Sequence, residues 1–203
     1  MKLPRVIWML YGFFAICVLF TDFASEGIAG EEPELWTAGP YSFSDELGGF
    51  TIRAISGKGT IDDPIVITEE FDSATPTTLV IRTERIALAN PSEDVGILFY
   101  LRVQAINGSG HPWIEFEFEL QEQLHVPSDY GDGLSFYQPG DKTGMIHSTG
   151  FREFNDDFEP YDRMVFRGGQ VDPGANATFE FPVADFTPKR TFYLVQDPRI
   201  PSS

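Results

Sequence analysis

The sequence predicts an all-β fold: an antiparallel, Ig-like β-sandwich of about nine strands, preceded by a signal or anchor helix. Three observations carry this. Apolar residues recur at every second position in short runs. Gly, Pro, Asn and Asp break those runs at fairly regular intervals. No amphipathic helical run of any length follows residue 30.

The clearest run has Ile114, Phe116, Phe118 and Leu120 alternating with Glu115, Glu117 and Glu119. A strand sends alternate side chains to opposite faces, so the apolar set is expected in the core and the glutamates in water. Upstream, Val95, Ile97, Phe99, Leu101 and Val103 alternate in the same way, and Asn107-Gly108-Ser109-Gly110-His111-Pro112 lies between the two runs. That dense turn signal predicts a central antiparallel hairpin, with Arg102 across from the glutamates. Further strands are expected at 50–56, 64–70, 78–83, 134–137, 163–166, 177–183 and 191–195. Residues 30–40 read as a linker, 41–197 as the domain and 198–203 as a tail. Residues 126–160 form the longest weakly patterned stretch, and long loops in compact domains are often functional.

The N-terminus reads as a targeting segment. Lys2 and Arg5 precede a charge-free run from Val6 to Phe20, and Gly27-Ile28-Ala29 places small residues where a signal peptidase cuts. Cleavage is expected after Ala29; the alternative is an uncleaved anchor at residues 6–20. Both leave the remaining chain outside the cytoplasm, periplasmic or extracellular. The single cysteine, Cys17, falls in this segment. The mature chain therefore has no disulfide, thiol nucleophile or thiolate metal site, and about 174 residues is enough to be stable through a core alone.

Removing residues 1–29 takes away Lys2, Arg5, Asp22 and Glu26, which leaves the net charge of −17 unchanged. A field of that sign repels nucleic acid and anionic lipid and suits solubility, calcium or a cationic partner. No nucleic-acid partner is expected, and membrane contact only through residues 6–20 if they are retained.

The run from Asn107 through Trp113 to Leu120 resembles a strand–turn–strand signature of secreted bacterial β-sandwich modules carried by surface-sorted proteins. In these an Asn-x-(Thr/Ser)-Gly turn precedes a Trp that opens an amphipathic strand. Phe166-Arg167-Gly168-Gly169-Gln170-Val171-Asp172-Pro173-Gly174, followed by Phe179 and Phe181, is similar to their later turn. The resemblance spans residues 95–185 and implies fold and compartment, with no activity. The hydrophobic sorting tail such proteins often carry does not precede Ser203, so anchoring by that route is not expected.

Catalytic signatures are sparse. Gly-x-Ser-x-Gly, His-Glu-x-x-His and a phosphate-binding Gly-rich loop are absent, and His111, His125 and His147 lack the short paired spacing of zinc ligands. Carboxylates are abundant, and a glycosidase needs two facing each other at ~5–9.5 Å; Glu115, Glu117 and Glu119 are the candidates on a strand. Two acidic clusters have oxygen ligands for a hard cation. Asp129-Tyr130-Gly131-Asp132-Gly133 contributes Asp129 and Asp132, and Asn155-Asp156-Asp157-Phe158-Glu159-Pro160-Tyr161-Asp162 contributes Asp156 and Asp157 as candidate calcium ligands, with Arg152 and Arg163 flanking the second. Tyr130, Tyr137, Phe151, Phe154, Phe158 and Tyr161 form either a sugar- or peptide-stacking surface or a small core under the loop. Phe151, Phe154 and Phe158 share a face if that segment is a helical turn. Asn107-Gly108-Ser109 and Asn176-Ala177-Thr178 are glycosylation sequons in form.

These features point to a non-catalytic extracytoplasmic module for binding, adhesion or accessory-subunit interaction with a protein or carbohydrate partner, calcium-stabilised if either acidic cluster binds the ion. Two alternatives stand beside it: a carbohydrate-active enzyme or carbohydrate-binding module, and a membrane-anchored structural subunit.

Overall fold

The computed structural model describes residues 35–83, 97–129, 131–136, 144–187 and 189–201. The signal segment, its cleavage site and Cys17 lie outside the described residues. Within them the chain is all-β, without a helix, in two sheets. The first contains β1 (Trp36–Ala38), β2 (Tyr41–Ser44), β5 (Thr77–Thr83), β13 (Thr191–Arg199), β7 (Glu115–Gln121), β11 (Arg163–Arg167) and β10 (Glu153–Asn155), in that order. The second runs β3 (Phe50–Ser56), β4 (Ile65–Phe71), β6 (Ile97–Asn107), β12 (Asn176–Asp185) and β8 (Leu134–Phe136), with β9 (His147–Ser148) also on β12.

The seven regions at 50–56, 64–70, 78–83, 134–137, 163–166, 177–183 and 191–195 each carry a strand, as the alternation predicts. The strand count is higher than the nine expected. β1 lies in the 30–40 segment, β2 follows it, and β9 and β10 lie in the weakly patterned region. These four span two to four residues, too few for a period of two to register.

The expected hairpin does not form. β6 and β7 belong to different sheets, and residues 108–114 carry the chain from one to the other. The cause is Asn107, which is fully buried. Its Nδ2 donates to the carbonyls of His111 (2.8 Å) and Val171 (2.9 Å), and its Oδ1 accepts from the backbone N–H (3.0 Å) and hydroxyl (2.6 Å) of Ser109. Trp113 then enters the core, its Nε1 donating to Ser109 Oγ at 3.1 Å. Gly108 is required at the start of this arch, because a Cβ there would lie 2.8 Å from the carbonyl oxygen of Phe71.

Nor are all pairs antiparallel. β4 and β6 are parallel, from Ile65↔Leu101 to Phe71↔Asn107. Parallel neighbours need a crossover connection; here the intervening strand β5 makes the crossing by pairing in the opposite sheet.

One core joins the sheets. Phe116, Phe118 and Leu120 of β7 are fully buried, as the alternation predicts, whereas Ile114 precedes the strand and is half-buried. Phe116 meets Phe179 of β12 at 4.6 Å between ring centroids, and Phe118 meets Phe181 at 4.8 Å. Phe71 and Trp113 close the same layer at 5.4 Å. Offset and edge-on rings at these distances add about 0.5–1.5 kcal/mol per pair beyond burial.

The core also holds a carboxyl. Along β4, Ile65, Ile67, Glu69 and Phe71 all occupy inward positions, so Glu69 is fully buried. Its Oε2 accepts from Gln196 Nε2 of the opposite sheet at 2.7 Å, while Glu69 Oε1, Gln196 Oε1 and Thr77 Oγ1 have no partner among the described residues. Burial pushes the carboxyl up to about 8, against the opposing hydrogen bond from Gln196 and with a smaller contribution from Asp45.

Two predictions follow from this packing. Phe118→Ala is expected to cost ~3–5 kcal/mol in denaturant melts, through lost burial and the cavity left between the sheets. Glu69 binds its proton more tightly folded than unfolded. The contribution of this group to stability is therefore fully present below about pH 4.5, falls by about 1.4 kcal/mol per pH unit, and is lost above its folded value of about 8. Glu69→Gln is expected to make the measured slope shallower by that amount across the same window.

Candidate functional site

Three places gather chemistry-bearing side chains. The first is the outer face of β7, where Glu117 and Glu119 point away from the core. They were expected to face water, yet each is buried, at 7% and 8% exposure. The cover comes from neighbouring strands. Antiparallel pairing sets Arg163 of β11 opposite Glu119 and Asp197 of β13 opposite Glu117, with Arg199 two residues further on. Arg163 Nε lies 2.9 Å from Glu117 Oε1 and 3.1 Å from Glu119 Oε2. Arg163 Nη2 also bonds Glu119, and Arg199 Nη2 bonds Glu117. Gln121 Nε2 donates to Glu119 Oε1 at 2.8 Å. Arg102, expected to pair with these glutamates, sits in the other sheet and binds Glu180 at 2.6 Å.

Burial raises Glu117 above the ordinary carboxylate range, while Arg163 and Arg199 oppose the rise. Asp197 is likewise raised by burial, against Arg199. Each carboxylate is thus engaged by a guanidinium, an arrangement that crosslinks three strands and leaves no open pair for acid–base work.

The second place is a loop end where three connections meet. Asp129 bridges to Tyr161 in the backbone, and Asp162 exchanges backbone hydrogen bonds with Leu120 and Ser128. Asp129, Asp132 and Asp162 therefore share one neighbourhood. Burial pushes Asp162 up to about 7; the Phe136 N–H opposes this, and Asp132 and Asp129 add to it. Asp185 is raised chiefly by burial, against the N–H groups of Thr187 and Lys189.

The remaining candidate calcium ligands lie elsewhere. Asp156 and Asp157 follow β10, and the Asp157 N–H donates to Asn155 Oδ1 at 3.3 Å. Asp129 Oδ1 accepts from the Gly131 N–H and Asp132 Oδ1 from the Leu134 N–H, so both side chains cap their own turns. Among the described residues no group of three or more His, Cys, Asp or Glu is arranged to hold a metal ion.

The third place is a cleft of about 520 Å³ lined by residues 146–154, Phe166, Gly168 and Gly169. It forms where the chain passes from an edge of one sheet to an edge of the other. β9 is fixed on β12 through Ser148↔Phe179 and His147↔Glu180, and β10 on β11 through Phe154↔Phe166. Between them Phe151 is buried and stacks on Phe179 at 5.9 Å. Backbones touch at the floor: a Cβ on Gly169 would lie 1.9 Å from the carbonyl oxygen of Gly150, so that position admits glycine alone.

His147, Arg152, Glu153 and Phe154 stand on the walls. His147 Nε2 is 3.5 Å from Glu180 and Glu153 is 3.5 Å from Arg167. Arg152 is exposed and makes no ion pair among the described residues. The cleft was not foreseen as a unit; the aromatic spacing was the available signal. Phe151 and Phe154 do lie together, but on an extended crossing segment instead of a helical turn. Phe158 lies 6.0 Å under the Arg163 guanidinium, Tyr161 is exposed, and Tyr130 and Tyr137 fall outside the described residues. Of the sequon asparagines, Asn176 is exposed, whereas Asn107 uses its Nδ2, the atom a glycan would need, inside the arch.

The outer-face network yields a prediction. Glu117→Gln would leave two guanidinium groups short of a carboxylate. It is expected to cost about 1–2 kcal/mol in denaturant melts, above the ~0.5 kcal/mol typical of a surface change and discounted for the partial exposure of Arg199.

A scan against protein-family models and searches of curated proteins and of solved structures found no match, so a functional reading rests on this geometry.

Proposed function

We propose that this chain is an exported, non-catalytic β-sandwich module that binds a carbohydrate or protein partner in the cleft between β9 and β10. One observation carries the reading: a walled, mixed polar and aromatic cleft of about 520 Å³ with an exposed guanidinium that no carboxylate of the described chain engages. Its size lies within the ~300–1,000 Å³ of ordinary ligand pockets. The engagement of Glu117 and Glu119 by Arg163 and Arg199 favours binding over catalysis. Lys2, Arg5 and the apolar run to Phe20 support export, as does the resemblance of residues 95–185 to secreted modules.

A second reading, a carbohydrate-active hydrolase, draws on Asp162. A carboxyl raised to about 7 by burial, with further carboxyl groups nearby, is the kind of group that serves as a general acid. The two readings separate in one experiment on the full chain. Soluble extracellular polysaccharides and peptides are titrated while backbone resonances are followed and reducing ends are assayed. The binding reading expects shifts at residues 147–154 and 168–169 with no product. Product formation that disappears in Asp162→Asn would replace it with the hydrolase.

A further inference from the structure

Resting on the binding reading, we infer that the cleft takes an acidic sugar, a uronate-type residue whose carboxylate pairs with Arg152. The case begins with charge. Acidic groups outnumber basic ones 31 to 14 in this chain. Arg53, Arg82, Arg102, Arg163 and Arg199 each hold a carboxylate at 2.9 Å or less. In such surroundings most guanidinium groups find an internal partner; among the described residues Arg152 and Arg190 have none, and Arg152 lines a cleft. A planar guanidinium matches a carboxylate through two parallel hydrogen bonds, which gives both strength and orientation. The net charge of −17 does not prevent this, because interactions beyond a Debye length of ~8 Å are largely screened at physiological salt.

The other wall groups decide what carries the carboxylate. Phe154 is half-buried, backed by Phe166 at 6.2 Å, and presents apolar ring surface to the cleft. Glu153, with a side chain 64% exposed, lines it together with Ser148 and Thr149, whose hydroxyls accept from the Gly150 and Thr178 N–H groups. A pyranose ring has an apolar C–H face for Phe154 and hydroxyls that donate to Glu153. An Asp- or Glu-rich peptide would pair with Arg152 but would bring further negative charge against Glu153 and Glu180, the latter 3.5 Å from His147. The combination of one cation, one aromatic face and hydroxyl acceptors therefore fits a ring bearing one carboxylate better than an acidic chain.

The test is calorimetric titration of the full chain with neutral oligosaccharides carrying one terminal galacturonate, glucuronate or mannuronate, each beside its methyl ester, and with an oligoglutamate peptide. At least one acid is expected to bind at least tenfold more tightly than its ester, with affinity falling as salt rises. Arg152→Gln is expected to abolish that tenfold preference at an unchanged melting temperature, and Phe154→Ala is expected to weaken acid and ester alike. Equal binding of acid and ester, or tighter binding of oligoglutamate, overturns the inference and leaves the binding module standing. Absence of binding by every saccharide also overturns it. The module reading falls only if nothing in the wider polysaccharide and peptide panel perturbs residues 147–154.

Discussion

Both N–H groups of the Asn107 side-chain amide are used inside the fold, one on the carbonyl of His111 and one on that of Val171. That pair of bonds ties the end of β6 to the segment before β12 and turns the chain out of one sheet into the other. Trp113 follows as a buried anchor, and its backbone exchanges hydrogen bonds with Val171 on both sides at 2.9 Å. With that point fixed, β7 can only run along the opposite sheet, its phenylalanines facing those of β12. The outer-face glutamates, the arginines that hold them and the register of β11 all follow from the direction β7 takes at this arch. Loss of the amide would remove one of two donors from each carbonyl, since Val171 also accepts from the Trp113 N–H and His111 from the Ser109 hydroxyl.

Much of this architecture was legible in the residues, and the failures have physical causes. Alternation in the Ile114–Leu120 run gave the buried face of β7 because strand geometry is local. The partner of that face is set by tertiary packing, so the same turn signal was equally compatible with a hairpin and with an arch. Glu117 and Glu119 were legible as pointing outward but not as buried, since their cover comes from Arg163 and Arg199, distant in sequence. Glu69 carried a usable signal: it continues the inward series of Ile65 and Ile67. Asp162 stood within an acidic cluster, but its association with Asp129 and Asp132 depends on a loop contact that no spacing reveals. Arg152 could only be seen as a flank, because its lack of a carboxylate partner among the described residues is a property of the folded neighbourhood.

The acidic surface is therefore not uniform. On the outer face of β7, carboxylates are gathered around guanidinium groups and act as crosslinks between strands. In the core and at the loop end, burial holds carboxyls toward their neutral form, as at Glu69 and Asp162. At the cleft the arrangement is reversed, with the cation left open. The same excess of negative charge thus supports stability in one place and contrast in another, where an open guanidinium is conspicuous against its background.

The placement of β12 and β13 bears on how the chain reaches its folded state. These are the last two strands in sequence, yet each is internal to its sheet: β12 joins β6 to β8 and β9, and β13 joins β5 to β7. Residues 97–107 have no antiparallel neighbour until residues 176–185 arrive, and residues 115–121, paired on one side by 163–167, gain their second neighbour only with 191–199. Such non-local pairing belongs to the slow, millisecond-to-second class of folding, because loop closure must precede the contacts that reward it. A chain emerging from its N-terminus cannot complete either sheet until residues 176–199 are free. Neither sheet centre closes before residues 176–199 are available, and the two are then completed nearly together.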